Sequence, residues 1–397
     1  ADRGGAWHEA AAGRMSEARA ALMPGATLGV MGGGQLGRMF VHAAQRMGYR
    51  TAVLDADHDS PAGRVSEHHV LSGYLDEGGL SELARLADAV STEFENVPAQ
   101  ALSALGRERP VHPAAGAVAV AQDRAQEKAH FVRCGVPCAP HAVIETQDQL
   151  ESVAADLLPG VLKTARLGYD GKGQVRVADR AALAQAWDEL KRVPCVLEKL
   201  LPLAAECSVV VARGADGAMV HLPVQRNLHR GGILAVTEVH DDVIEPAVAC
   251  QAIEAARAIA QGLDYVGVLC VEFFVLQDGS LVVNELAPRP HNSGHWSMDA
   301  ADVSQFELQV RTLAGLPLVM PRQHGAAVML NLLGDVWFKD GREQPPAWER
   351  VLAIAGAHLH LYGKSDARPG RKMGHLTLVA PTPGAARAAA LHARTVL

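Results

Sequence analysis

The sequence predicts a mixed fold, α/β toward its N-terminus and α+β beyond, on three observations. An apolar run, Thr27 to Met31, leads into Gly32-Gly33-Gly34-Gln35-Leu36-Gly37 and a helical pattern through Met47, which reads as strand, Gly-rich turn and helix. Strands expected at Thr51 to Asp55 and Asp88 to Thr92 extend this into a small parallel sheet that closes near Asp123. Beyond about Cys195, apolar β-branched runs follow one another with few helices between, which is α+β rather than repeated βα. At 397 residues the chain is long enough for two or three domains.

The remaining elements follow in order. Residues 1–24 are rich in Ala, Arg and Glu, lack the apolar core of a signal peptide, and are expected to form a flexible extension. A charged amphipathic helix runs from Arg124 to about Val132, and strand, helix and strand then lead to Val161-Leu162-Lys163-Thr164. Gly168 to Gln174 reads as a polar hairpin loop over a ligand. Strands are expected at Cys195 to Leu200, Ser208 to Ala212 and Val266 to Val275, with a helix from Val248 to Gln261. The tail adds strands at Ala326 to Leu332 and Leu376 to Val379 and a helical last segment.

Composition narrows the class. Hydrophobic residues make up 49% with mean hydropathy near zero, and no stretch of 18 uncharged apolar residues occurs, so a globular protein without a membrane span is expected. A net charge of −7, spread along the chain, indicates neither a nucleic-acid face nor an anionic-lipid surface. Six cysteines without a Cys-x-x-Cys pair suit a reducing cytoplasm.

Chemistry concentrates in two strands. Glu272 lies in the apolar run Val271-Glu272-Phe273-Phe274, and Glu285 is the second residue of the polar stretch NELAPRPHNSGHW, Asn284 to Trp296. If these strands pair across Asp278-Gly279, Glu272 faces Glu285 with Asn284 close by. Two partly buried carboxylates this close repel, and a hard divalent cation keeps both ionised, which points to Mg²⁺ carrying the phosphates of ATP. A hairpin with solvated charges fits less well, because both residues have strongly apolar neighbours.

Other motifs stay open on the residues alone. Gly32, Gly34 and Gly37 satisfy G-x-G-x-x-G with Asp55 at nearly the spacing of a ribose-binding acid, which suits NAD or any phosphate on a helix N-terminus. The glycines around Lys172 let backbone wrap phosphate oxygens, without the spacing of a P-loop. Lys163, ending an apolar strand, either meets a phosphate or snorkels to the surface. Glu198-Lys199 and Glu206 suit an adenine edge and ribose hydroxyls, or an ordinary charged hairpin. Lys364, Arg368, Arg371 and Lys372, among three glycines, suit an anion or a solvated basic loop.

Taken together, GGGQLGRM (Gly32 to Met39), TEFENV (Thr92 to Val97), GYDGKGQ (Gly168 to Gln174), NLHRGGIL (Asn227 to Leu234), NELAPRPHNSGHW, SQFE (Ser304 to Glu307) and RPGRKMGH (Arg368 to His375) resemble the 5-(carboxyamino)imidazole ribonucleotide synthetases. These are ATP-grasp enzymes of purine biosynthesis, and the resemblance runs from about Thr27 to the C-terminus. It implies a Rossmann-like pre-ATP-grasp domain over 25–122, an ATP-grasp domain over 123–318 with a lid subdomain at about 123–205, and a small C-terminal domain over 319–397. The implied reaction carboxylates 5-aminoimidazole ribonucleotide with bicarbonate and MgATP through carboxyphosphate, giving ADP and phosphate, and the implied assembly is a cytoplasmic homodimer.

The resemblance also implies roles. Arg124, Lys163, Gly168, Tyr169, Asp170, Gly171, Lys172, Gly173, Gln174, Glu198, Lys199, Leu200, Leu201, Glu206, His229, Asn284 and Glu285 resemble the ATP site, and Glu272 and Glu285 the magnesium ligands. Gly34, Gln35 and Leu36 resemble a cradle for the ribonucleotide phosphate, with Lys364 and Arg371. Glu95, Tyr169 and Asp170 resemble the aminoimidazole pocket, while Arg289, His291 and Asn292 resemble the residues that handle bicarbonate. Asp170 and His291 are the candidates to take the amine proton. The sequence departs from the family's pattern where Leu167-Gly168 replaces a double glycine before Tyr169, and the first 24 residues have no family counterpart. The rival readings are a formate-using ATP-grasp transformylase, an NAD oxidoreductase and a non-catalytic ribonucleotide-binding protein.

Overall fold

The computed structural model describes residues 20–168, 172–339 and 341–397. The Gly-rich turn does sit between the strand Thr27–Met31 and the helix Gln35–Arg46. Around it forms a four-stranded parallel sheet in the order His68–Leu71, Arg50–Asp55, Thr27–Met31, Ala89–Thr92. The two inner strands are almost wholly buried, as a sheet covered on both faces requires. Of the expected N-terminal extension, residues 1–19 lie outside the described residues. The end of it is pinned: the Leu22 N–H donates to Ala314 O at 2.8 Å, and the Tyr49 hydroxyl donates to Leu22 O at 2.7 Å.

A second four-stranded sheet, wholly antiparallel, runs in the order His141–Ile144, Cys195–Lys199, Gly160–Thr164, Gln174–Val177. The Gly168 to Gln174 stretch is the connection between its last two strands. Leu167 takes φ 61° there, the left-handed region, which costs a residue with a Cβ about 1 kcal/mol or more. The departure from a double glycine therefore falls on a position where glycine would be unstrained.

The largest sheet has nine strands. Leu281–Ala287, Gly267–Leu276, Leu203–Arg213, Gln225–Arg230 and Ile233–Val239 lead on to Ala326–Leu333, Lys372–Ala380 and Ala357–Leu361, with Met219–His221 on Leu203–Arg213. Strands from the C-terminal part thus continue the sheet that carries the acidic pair. Alternation along Leu203–Arg213 sends Val209 and Val211 toward the helix Pro246–Gly262, while Val210 and Ala212 pack with Trp296 and Leu308 on the other face. The helix Gln305–Ala314 lies between the large sheet and Gln35–Arg46, joining the two layers through Phe306, Val310 and Leu313. Among the described residues no helix is long and apolar enough to cross a membrane, and all six cysteines are free thiols.

Candidate active site

Gly267–Leu276 and Leu281–Ala287 pair antiparallel, with Glu272 directly opposite Glu285. Direct cross-strand partners share a face, so the two carboxylates point the same way. Ser208 is the partner of Glu272 on its other side, and Glu206 lies two residues from it on the same strand face. His229, after a bulge in Gln225–Arg230, closes the arc. Its Nδ1 meets the Glu206 carboxylate and its Nε2 lies 3.8 Å from Glu272 Oε2.

His291 Nε2 lies 2.9 Å from Glu272 Oε1, and its Nδ1 accepts the Ser293 N–H at 3.3 Å and lies 2.9 Å from Ser293 Oγ. Burial opposes charge on both partners, yet the ion pair prevails. Glu272 is held well below the usual carboxylate range by His291 and His229, while Cys270 and Glu272 raise His291 well above an ordinary imidazole. The loop after Pro290 is clamped by Gln305, whose Oε1 accepts the His291 N–H at 2.9 Å and whose amide donates to His291 O at 2.8 Å. A Cβ on Gly294 would fall 2.4 Å from that Oε1, so glycine is required for the clamp.

Arg289 is partly buried and paired with Glu95. Burial works against both charges, but each holds the other ionised: the Glu95 carboxyl lies below its ordinary range and the Arg289 guanidinium above its own. Gln122 fixes the Glu95 segment by donating to the carbonyls of Glu95 and Val97 at 2.8 and 2.7 Å. Arg124 begins the helix Arg124–Arg133, capped by Asp123, and its Nη1 lies 3.4 Å from Glu285 Oε2.

These groups line one cleft of about 790 Å³, in the range that holds nucleotide-sized ligands. It gathers Gln35, Leu36, Glu95, Arg124, Lys163, Gly168, Lys172, Gly173, Gln174, Glu206, His229, Glu272, Asn284, Glu285, Arg289, His291, Asn292, Lys364 and Arg371. Gly34 and the stretch from Glu198 to Leu201 do not line it. Tyr169, Asp170 and Gly171 lie outside the described residues.

Three sequence-based expectations need correction. Lys163 is not an unpaired cation, because Glu198 Oε2 accepts from its Nζ at 2.9 Å. The N–H groups of Lys199 and Leu200 already donate to Pro140 O and Pro159 O, at 2.9 and 3.0 Å, so neither is offered to an adenine. In the Gly-rich turn, Gly33 donates to Asp55 at 2.7 Å, and Gly34 and Gly37 donate to Glu93 at 3.0 and 3.2 Å. A carboxylate therefore occupies part of the anion seat, leaving Gln35 and Leu36 facing the cleft. A Cβ on Gly34 would meet Glu93 Oε1 at 2.7 Å. Asp55, held by Gly33 and by the Tyr74 hydroxyl at 3.1 Å, supports the turn rather than a ribose.

Sequence reasoning missed Glu93, Glu127 and Lys128. Lys128 Nζ lies 3.2 Å from Glu198 Oε1 and donates to Asn284 O at 3.3 Å. Glu127 accepts the Leu286 N–H at 2.6 Å, and burial pushes its carboxyl up to about 7. Both lie in a helix whose charge pattern reads as solvated, and only the tertiary fold shows these positions buried.

Comparison with known proteins agrees with this geometry. Residues 25–122 match the ribonucleotide synthetase preATP-grasp domain, 129–306 the ATP-grasp domain, and 327–389 the phosphoribosylaminoimidazole carboxylase C-terminal domain. The N5-carboxyaminoimidazole ribonucleotide synthase of Brucella melitensis is 42% identical over 352 residues, covering 87% of this chain and 94% of that one. The ADP complex of an N5-carboxyaminoimidazole ribonucleotide synthetase superposes with TM-score 0.87 at 36% identity, covering 95% and 98% of the two chains. The Aspergillus clavatus synthase, in complex with ADP and 5-aminoimidazole ribonucleotide, gives 0.84 at 32% identity over 94% and 98%. The chain belongs to the N5-carboxyaminoimidazole ribonucleotide synthase family, ATP-dependent ligases of purine biosynthesis that convert 5-aminoimidazole ribonucleotide to its N5-carboxylated form.

Proposed function

We propose that the cleft carries out this conversion with bicarbonate as carbon source, MgATP as phosphoryl donor and carboxyphosphate as intermediate. The direct pairing of Glu272 with Glu285, in a cleft also lined by Lys364 and Arg371, is the observation that supports the reading most. The donor set suits Mg²⁺: two carboxylates, with the adjacent Asn284 Oδ1 buried and lacking a hydrogen-bond partner among the described residues. Bound at Glu272 and Glu285, the ion would offset charge on the phosphoryl group in transfer.

A bicarbonate oxygen bonds to the γ-phosphorus as ADP leaves. The exocyclic amine of the ribonucleotide then bonds to the carbonyl carbon of carboxyphosphate, or to CO₂ released from it, and phosphate departs. Arg124, Lys163 and Lys172 bring positive charge to the polyphosphate, and Glu206 and His229 border the nucleotide end. By family likeness the adenine edge falls to the Glu198 to Leu201 stretch, which adjoins the cleft through the Glu198 pairing with Lys163. Gly168 to Gln174, with Tyr169, Asp170 and Gly171, closes over the phosphates and excludes water.

Arg289 and Asn292 orient bicarbonate, with Glu95 beside the aminoimidazole. Asp170 and His291 remain the two candidates to take the amine proton, with His291 held by Glu272 at Nε2 and by Ser293 at Nδ1. The ribonucleotide phosphate rests on the Gln35 and Leu36 amides, Lys364 and Arg371. Lys364→Ala and Arg371→Ala should each raise the ribonucleotide KM by about tenfold or more, the effect of losing a charged hydrogen bond, with kcat nearly unchanged. An unaltered KM in both would move the phosphate elsewhere.

The family likeness extends the proposal to a cytoplasmic homodimer, which a sedimentation mass tests. The decisive experiment measures ADP release from the full chain with MgATP, adding bicarbonate and 5-aminoimidazole ribonucleotide separately and together. Release that requires the ribonucleotide and is stimulated by bicarbonate is expected. Stimulation by formate in place of bicarbonate would overturn the reading.

A further inference from the structure

Outside the cleft, a cluster of imidazoles and one carboxylate forms where the tail folds back onto the segment after the active-site loop. His360 and His375 are direct partners on the adjacent antiparallel strands Ala357–Leu361 and Lys372–Ala380, and their rings stack with centroids 4.5 Å apart and planes 15° apart. Asp299, in the short helix Ser297–Ala300, places both carboxylate oxygens 3.0 Å from His360 Nε2. Its side chain is only 9% exposed. One ligand atom from each of the three residues lies within 4.8 Å of the others.

We propose that Asp299, His360 and His375 bind a first-row transition-metal dication, with zinc the best fit to two imidazoles and one carboxylate. The atom that points to a ligand is His375 Nε2. This imidazole is fully buried, its Nδ1 lies 3.0 Å from the Tyr362 hydroxyl, and its Nε2 has no hydrogen-bond partner among the described residues. In the tautomer whose Nδ1–H donates to the Tyr362 oxygen, Nε2 presents a lone pair, the usual arrangement of a metal-bound histidine held by a second group. Burial together with the neighbouring His295 and His360 keeps His375 uncharged, as a ligand must be.

The spacing is compatible with one ion. Two ligands about 2.0–2.1 Å from zinc stand roughly 2.9 to 3.3 Å apart, which brackets the 3.0 Å between His360 and Asp299. The ion replaces the proton that otherwise lies between them; the ligand atoms, at most 4.8 Å apart, close by up to about 1.5 Å, and the two stacked rings tilt toward each other so that their in-plane lone pairs converge. His358, two residues from His360 on the same strand face, has Nδ1 3.8 Å from Asp299 Oδ1 and is 46% exposed. It offers a fourth ligand and the route from solvent. Mg²⁺ does not compete here, because a hard cation prefers oxygen donors.

An ion at this place joins the segment that follows Asn292 and His295 to the two strands that flank Lys364 and Arg371. The test uses the full chain, stripped with a chelator and returned to buffer holding saturating Mg²⁺, and titrates Zn²⁺ by calorimetry and Co²⁺ by visible absorption. One tight equivalent per chain, a raised Tm with zinc and the d–d bands of a four- or five-coordinate cobalt site are expected. Outer-shell changes around a metal cost about 10 to 100-fold in affinity, so losing a ligand in Asp299→Asn or His360→Gln should exceed that. His360 is partly exposed at the sheet edge, so its variant keeps the test valid if Asp299→Asn fails to fold. No tight equivalent, or equal binding in wild type and His360→Gln, would show only adventitious binding to surface histidines and overturn the site.

Discussion

Glu285→Gln should lower kcat/KM by about 100-fold, near 2.7 kcal/mol of transition-state stabilisation, while leaving the fold intact. The substitution keeps shape and removes one of the two charges proposed to hold Mg²⁺. Stability should barely change, because the side chain is 42% exposed and its ion pair to Arg124 spans 3.4 Å. Glu285 is the better test position of the acidic pair. Glu272 also neutralises His291 and His229, so its replacement would leave buried imidazolium charge uncompensated and confuse metal loss with misfolding. Activity of the variant should recover in part as Mg²⁺ is raised. Near-normal turnover at limiting Mg²⁺, with Tm unchanged, would remove Glu285 from the metal site.

The acidic pair is legible in the amino-acid sequence because it depends on local rules. An apolar β-branched run, a turn at Asp278-Gly279 and a second run fix a hairpin, and period-two alternation then places Glu272 across from Glu285. The parallel sheet around the Gly-rich turn is legible for the same reason. By contrast, Gln225–Arg230 has only one aliphatic residue in six and carries no strand signal of its own. It is held by neighbours on both sides and by the Asn227 amide donating to Ser208 Oγ at 2.8 Å. His229 can therefore be named only through the family resemblance. The strand Ala357–Leu361 is not expected from the sequence, because its histidines hide the alternation and its pairing partner lies beyond the basic loop. Glu93 and Lys128 are invisible at the level of sequence because their roles, capping glycine amides and neutralising Glu198, arise between segments that only the tertiary fold brings together.

Lys128 leads to the largest expected effect on stability. Glu198 is nearly inaccessible, 4% exposed, between Lys128 Nζ at 3.2 Å and Lys163 Nζ at 2.9 Å, and these lysines are 0% and 12% exposed. Burial alone would raise its carboxyl; the two ammonium groups outweigh burial and bring it from 4.5 to about 2. Glu198→Gln leaves two buried ammonium groups facing a neutral amide, and removing one partner of such a group costs about 3 to 5 kcal/mol. The depressed carboxyl gives a matching figure of roughly 3 kcal/mol at 1.36 kcal/mol per unit. Because the folded value lies below the unfolded one, this stability is fully present above about pH 4.5 and is lost as pH falls toward 2. The urea midpoint of Glu198→Gln should therefore sit well below wild type at pH 7, and the gap should narrow steadily below pH 4.5. A constant gap, or one under about 1 kcal/mol at pH 7, would mean the lysines are not held by this carboxylate. Replacing Lys128 and Glu198 together by methionine separates packing from charge. The apolar pair should recover part of the loss, while Lys163, left without its carboxylate at the cleft wall, should still show an altered ATP KM.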